Sequence, residues 1–193
     1  METPKESHWL AAKRILRYIK GTLNLGLCYA YGKTSDLVGY SDSDHGGDQD
    51  ERKSTTGYVF FLGPTVFSWT SKKQGVVALS SCEAEYVAAA STVCEAIWLR
   101  NILKELDHPQ ERPTMILVDN KSAIQLAKDP VHHGRSKHID TRFHFLRDHV
   151  KKKTIVLEYC HTLDQVADIF TKPLTADAFR RLRDKLGMTT LQV

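Results

Sequence analysis

The sequence predicts an α/β fold, and three observations carry that prediction. LVGYSD (residues 37–42), TTGYVFFLG and TVFSWTSK are consecutive runs of β-branched and aromatic residues separated by turn chemistry, the signature of three strands. TMILVDN is a short apolar run that ends in an acid and passes at once into SAIQLA, the βα unit of a parallel sheet. Between them lies LSSCEAEYVAAASTVCEAIWLRNILKEL, a helix with a clear start signal.

In chain order, residues 8–20 predict an amphipathic helix with Trp9, Ala12, Leu16 and Ile19 on one stripe and Gly21 as its stop. Too small to bury its own stripe, this segment is expected to dock on the main domain or on a partner. LGLCYAYG reads as a short extended piece, and residues 32–36 as a turn or linker. The second and third strands are joined through Gly63 and Pro64, so a hairpin is expected and the three strands together should be antiparallel. In the long helix, Ser80 and Glu83 fit a capping box, whereas Glu85 shares a stripe with Ala88, Ala89 and Thr92. Small residues let that face approach the sheet, which would carry Glu85 inward. After SAIQLA, capped by Asn120 or Ser122, come the loop KDPVHHGRSKHID, a basic helix TRFHFLRDHVKKK and a strand TIVLEYC. HTLDQVADIFTK is then expected to begin a helix, with Thr162 and Gln165 as a capping box and Asp168 one turn inside; FRRLRDKLGM closes the chain as a short helix.

The 193 residues, 41% hydrophobic and 26% charged, suit one globular domain with appendages. No apolar run reaches membrane-spanning length, and METPKESHW has no apolar signal core. An intracellular setting, cytoplasmic or nuclear, is therefore expected, with no membrane partner. The four cysteines are scattered singly, which indicates neither a disulfide framework nor a cysteine zinc site. His132, His133, His138 and His144 match no familiar zinc spacing, and contacts to phosphate or backbone suit them better. The net charge is only +4, but basic residues gather in AAKRILRYIK, in residues 135–153 and in FRRLRDK. A basic surface around an acidic pocket is what a nuclease needs.

The acids decide the chemistry. SDSDHGGD at the tip of the first strand is either an acidic surface turn or part of an oxygen-ligand cation site. Asp119 also ends a strand, and ligand sites in parallel sheets gather at the carboxyl ends of strands. With Asp42, Glu85, Asp119 and Asp168 in this order of elements, the chain resembles the RNase H fold and its four-carboxylate site.

The likeness extends to sequence. GYSDSDHGGDQDERKSTTGYVFFLG, VALSSCEAEYVAAASTVCEAIWLR, VDNKSAI, RSKHIDTRFHF and QVADIFTKPL resemble successive blocks of the RNase H region of copia-type retrotransposon polyproteins. HWLAAKRILRYIKGTLNLGLCY resembles the segment joining reverse transcriptase to RNase H, and AFRRLRDKLGM the polyprotein's C-terminal end. The resemblance implies a mixed five-stranded sheet flanked by helices, with residues 1–34 as joining segment, 35–175 as the RNase H-like domain and 176–193 as a helical tail. It implies hydrolysis of the RNA strand of RNA–DNA hybrids with two Mg²⁺ ions, Mn²⁺ as substitute, held by Asp42, Glu85, Asp119 and Asp168. Asp42 would bridge the ions, Glu85 and Asp119 would serve the leaving-group side, and Asp168 the nucleophile side. His161 stands where related enzymes carry a histidine thought to aid product release, and His45 where the family commonly has tryptophan. Lys72, Lys73 and Lys151–Lys153 are candidates for phosphate contacts. A reverse transcriptase domain is the implied protein partner. The alternatives are a catalytically silent nucleic-acid-binding remnant and an interaction module.

Overall fold

The computed structural model describes residues 3–29, 36–128 and 137–190. A five-stranded mixed sheet runs β4–β3–β2–β5–β6, formed by β2 (Val38–Ser43), β3 (Thr55–Phe61), β4 (Val66–Lys73), β5 (Thr114–Val118) and β6 (Ile155–Tyr159). The meander β2–β3–β4 is antiparallel, whereas β5 lies parallel to β2 and β6 parallel to β5. Three antiparallel strands and a βα unit thus share one sheet, as the sequence predicts.

Both faces of this sheet are covered, which explains why the second half of β3, YVFF, is an unbroken apolar and aromatic run. Phe60 packs toward the larger core with Ala89, Val93, Ile116 and Leu157. Its neighbour Val59 packs on the opposite face with Val66, Val166 and Leu186. The larger core lies under α2 (Ser81–Glu105), α3 (Lys121–Lys128) and α4 (Lys137–Lys151). Ala84, Ala88, Ala89 and Thr92 are buried along α2, and Thr92 Oγ1 lies 2.9 Å from Ser41 Oγ on β2. The small-residue stripe therefore does bring α2 close to the strand.

The segment after β6 differs from the sequence expectation. HTLDQVADIFTK forms two 3₁₀ turns, Thr162–Asp164 and Val166–Phe170, instead of a helix. The expected Thr162–Gln165 capping box is not formed: the His161 side chain caps the first turn and Gln165 the second. Gln165 is extended between them (φ −71°, ψ 98°), with its side chain fully buried. Its Nε2 donates to Ser41 O at 2.9 Å, and its Oε1 accepts from Ala167 N at 3.2 Å. A continuous helix would pull this amide off β2.

A second, two-stranded sheet appears that the sequence does not announce. β1 (Leu25–Leu27) pairs antiparallel with β7 (Met188–Thr190), which follows α5 (Ala176–Lys185). The ribbon lies against the start of β4, where Val66 N donates to Leu186 O at 3.0 Å and Tyr29 Oη to Val66 O at 2.8 Å. By contrast, α1 (Glu6–Gly21) buries no residue at all. Trp9, Leu16 and Ile19 on its apolar stripe are 59%, 63% and 51% exposed, and Tyr18 makes an edge contact with Phe179 at 6.0 Å. Among the described residues no helix is long and apolar enough to cross a membrane.

Candidate metal centre

Each of the four acids is delivered by a different element. Asp42 sits near the end of β2, and Asp119 immediately follows β5. Because β2 and β5 are parallel, with Ser41 opposite Val118, their carboxyl ends place these two acids side by side. Glu85 enters from the second turn of α2. The start of that helix is fixed by Ser80 Oγ, which accepts from Glu83 N at 3.1 Å, while Glu83 Oε2 reaches back to Leu79 N at 2.8 Å. This is the expected capping exchange with its return bond moved one residue outward. Gln74 adds a cross-link, its Nε2 lying 3.0 Å from Ala84 O and 3.1 Å from Ser43 Oγ, so helix start and strand tip are tied together.

Ligand atoms of Asp42, Glu85 and Asp119 all lie within 4.8 Å of one another. Asp42 and Glu85 are buried and Asp119 is partly so. Glu85 Oε1 accepts from Ser43 N at 3.1 Å, while Glu85 Oε2 is buried without a hydrogen-bond partner among the described residues. An orphaned carboxylate oxygen beside two other carboxylates costs free energy unless a proton or a cation answers it. Burial first, and then the charges of Asp42 and Asp119, push the Glu85 carboxyl up to about 9. Burial likewise raises Asp119, with the Thr162 side chain pulling the other way and Asp42 adding to the rise.

Asp168 completes the group from the second 3₁₀ turn. It is buried, and burial followed by the charge of Asp42 raises its carboxyl to about 7. Its Oδ1 makes no hydrogen bond of normal geometry and faces Lys172 Nζ at 2.9 Å. The same ammonium lies 3.5 Å from Asp42 Oδ2, which also accepts from Thr171 Oγ1. Burial works against the Lys172 charge, but the carboxylates of Asp42 and Asp168 outweigh it and hold the amine above its ordinary range. Close packing positions the turn: a Cβ on Gly57 of β3 would lie 2.7 Å from Thr171 Cγ2 and 2.9 Å from Ala167 O.

Three of the predicted carboxylates thus form one cluster, and Asp168 adjoins it through Asp42 and Lys172. His161 is exposed on the same loop, and its Nδ1 accepts from Leu163 N at 3.2 Å. His45 is exposed just beyond β2, and His144 is exposed on α4. His132 and His133, and the side chain of His138, lie outside the described residues. Lys72 is exposed at the end of β4, whereas Lys73 is engaged by Asp48 at 2.7 Å and Lys152 by Asp148 at 2.7 Å. Sequence reasoning misses Thr171, Lys172 and the anchoring role of Gln165. The spacing Asp168–Lys172 was the available signal, since four residues apart on a helical turn can form an ion pair.

No family model matches the chain. It is 44% identical over 98% of its length to the retrovirus-related Pol polyprotein from transposon RE1 of Arabidopsis thaliana. It is 42% identical over 97% to the corresponding polyprotein from transposon TNT 1-94 of Nicotiana tabacum. The chain belongs to the copia-type retrotransposon Pol polyproteins, as one region of them. This region spans 13–14% of the length of those relatives. The N-terminal RNase H domain of Rv2228c from Mycobacterium tuberculosis superposes with a TM-score of 0.50 at 15% identity, covering 77% of this chain and 96% of that one. A foamy viral protease–reverse transcriptase does so with 0.50 at 16%, covering 83% and 25%. At these identities the likeness is one of fold, and the fold is that of RNase H.

Proposed function

We propose that this RNase H region hydrolyses the RNA strand of RNA–DNA hybrids at the carboxylate centre with divalent cations. The observation that carries the reading is the convergence of Asp42, Glu85 and Asp119 with Glu85 Oε2 buried and unpartnered. An all-oxygen donor set fits Mg²⁺, and Mn²⁺ after it. When bound, two such ions supply charge for the attacking water oxygen and for the departing 3′-oxygen.

The chain's own residues do the positioning. The β2–β5 pairing fixes the spacing of Asp42 and Asp119, and the Ser43 amide orients Glu85. Gln165 and Thr171 hold the Asp168 turn against β2. Asp42, Glu85, Asp119 and Asp168 would hold the ions, with Glu85 and Asp119 serving the leaving-group side and Asp42 and Asp168 the nucleophile side. Exposed Lys72 and the Lys151–Lys153 run are assigned to backbone phosphates, and selection of RNA to contacts with 2′-hydroxyls across the minor groove. His161 is assigned to product release. Residues 35–175 act as the nuclease unit, with 1–34 as the joining segment and 176–193 as the tail. The exposed apolar stripe of α1 supports a protein partner there, and the partner proposed is a reverse transcriptase domain.

The test is cleavage of a labelled RNA–DNA hybrid with and without Mg²⁺. Asp42→Asn should abolish Mg²⁺-dependent cleavage while leaving the circular dichroism spectrum unchanged; near-normal cleavage by the variant would refute the assignment. In the same assay His161→Ala should slow multiple turnover and spare single turnover, and equal losses in both would remove its release role. Hybrid binding by the parent chain with no cleavage in Mg²⁺ or Mn²⁺ would mark it as a silent remnant.

A further inference from the structure

Four carboxylates meet in the centre, and one ammonium stands on one side of them. Lys172 Nζ is 2.9 Å from Asp168 Oδ1 and 3.5 Å from Asp42 Oδ2, the two acids assigned to the nucleophile side. On the other side, Glu85 Oε2 has no partner. The backbone that carries Lys172 is fixed: Thr171 Oγ1 bonds Asp42 and lies 3.2 Å from Asp168 O, and the turn packs on Gly57. The lysine side chain itself is 37% exposed, so its four-carbon stem has a path out to solvent.

We propose that Lys172 is a built-in counter-cation. In the free protein it occupies the Asp42–Asp168 side, so a divalent cation enters first among Asp42, Glu85 and Asp119. The Asp42–Asp168 side accepts a second cation only when the ammonium has moved away. The physical reason is direct: an ammonium beside both carboxylates and a doubly charged ion on the same oxygens would stand within a few ångströms of each other, and the repulsion is large in a partly buried site. A substrate phosphate offers the displaced ammonium a new anionic partner, which would couple filling of the second position to nucleic-acid binding. The inference rests on the two-ion reading given above.

The test counts cations on the whole chain without nucleic acid. Mn²⁺ is titrated by calorimetry, and the electron paramagnetic resonance spectrum is recorded for a spin-coupled Mn²⁺ pair. The parent chain should bind one Mn²⁺ and show no coupled signal. Lys172→Met should bind two, and the coupled signal should appear. Lys172→Arg, which keeps the charge, should behave as the parent. Lys172→Gln is the second neutral variant should the methionine fail to fold, as judged by thermal melts. Two Mn²⁺ in the parent, or one in both parent and neutral variants, would overturn the role of Lys172 and leave the two-ion reading standing. Binding no greater than that of Asp42→Asn in every variant would overturn the two-ion reading and this inference with it.

Discussion

Replacing Glu85 by glutamine should make the metal-free protein more stable, and by an amount that grows with pH. The glutamine side chain would keep the bond from the Ser43 amide through its carbonyl oxygen, and its amide nitrogen would replace the orphaned Oε2 with a donor in the carboxylate cluster. Glu85 has its carboxyl raised from 4.5 to about 9 in the folded state. Between those values the folded chain holds a proton that the unfolded chain has released, so stability falls as pH rises, by about 1.4 kcal/mol per unit. At pH 5.5 the burden is about 1.4 kcal/mol and at pH 7.5 about 4 kcal/mol, three units above the ordinary value. Glutamine carries no such burden. The advantage of Glu85→Gln over the parent should therefore widen by about 2.7 kcal/mol between these pH values. Urea unfolding in EDTA, followed by tryptophan fluorescence at pH 5.5, 6.5 and 7.5, measures it. Added Mg²⁺ should stabilise the parent and not the variant. Parallel pH dependences, or a variant less stable than the parent at pH 7.5, would refute the reasoning.

Two further outcomes follow from packing. Gly57→Ala places a methyl 2.7 Å from Thr171 Cγ2 and 2.9 Å from Ala167 O, so the Asp168 turn must move off β3. The expected cost is about 1–3 kcal/mol, read as a lower melting temperature, with a further loss of hybrid cleavage; full activity in a folded variant would show that the turn's seat does not position Asp168. Removing residues 1–21 deletes α1, which buries nothing, and should change the melting temperature by no more than about 3 °C, corresponding to 1 kcal/mol or less. Removing residues 1–33 also takes β1, its pairing with β7 and the Tyr29–Val66 bond, and should destabilise clearly more; equal melting temperatures for the two deletions would deny the ribbon a stabilising role.

What could be read in the sequence and what could not divide along a physical line. Asp42 and Asp119 were legible because each ends a strand whose apolar run is itself the signal, and parallel pairing does the rest. Glu85 was legible because its stripe is made of alanines, which only a close approach explains. The last segment misled because VADIF has helical periodicity, and periodicity is blind to where a side chain is needed. Gln165 is required at Ser41 O, and that single buried amide interrupts the helix. The extended piece at LGL was expected, but its pairing with β7 was invisible: LGL and MTT are three residues each, too short to carry a period, and their pairing spans nearly the whole chain. The exposure of α1 was half legible, since a stripe with no mate inside the chain was one of the two outcomes expected.

The centre also shows how a fold tolerates four acids in one place before any cation arrives. On the Asp42–Asp168 side the answer is a covalently attached cation, Lys172. On the Glu85–Asp119 side the Glu85 oxygen is orphaned, and the raised Glu85 carboxyl supplies the answer by keeping a proton. These two devices differ in what removes them. A proton leaves to bulk water as a cation takes its place, so that side is exchanged by mass action and favours higher pH. A lysine has to be drawn to another anion. The proposed order of filling rests on that difference. The pH slope of Glu85→Gln and the cation count of Lys172→Met therefore measure two halves of one charge balance.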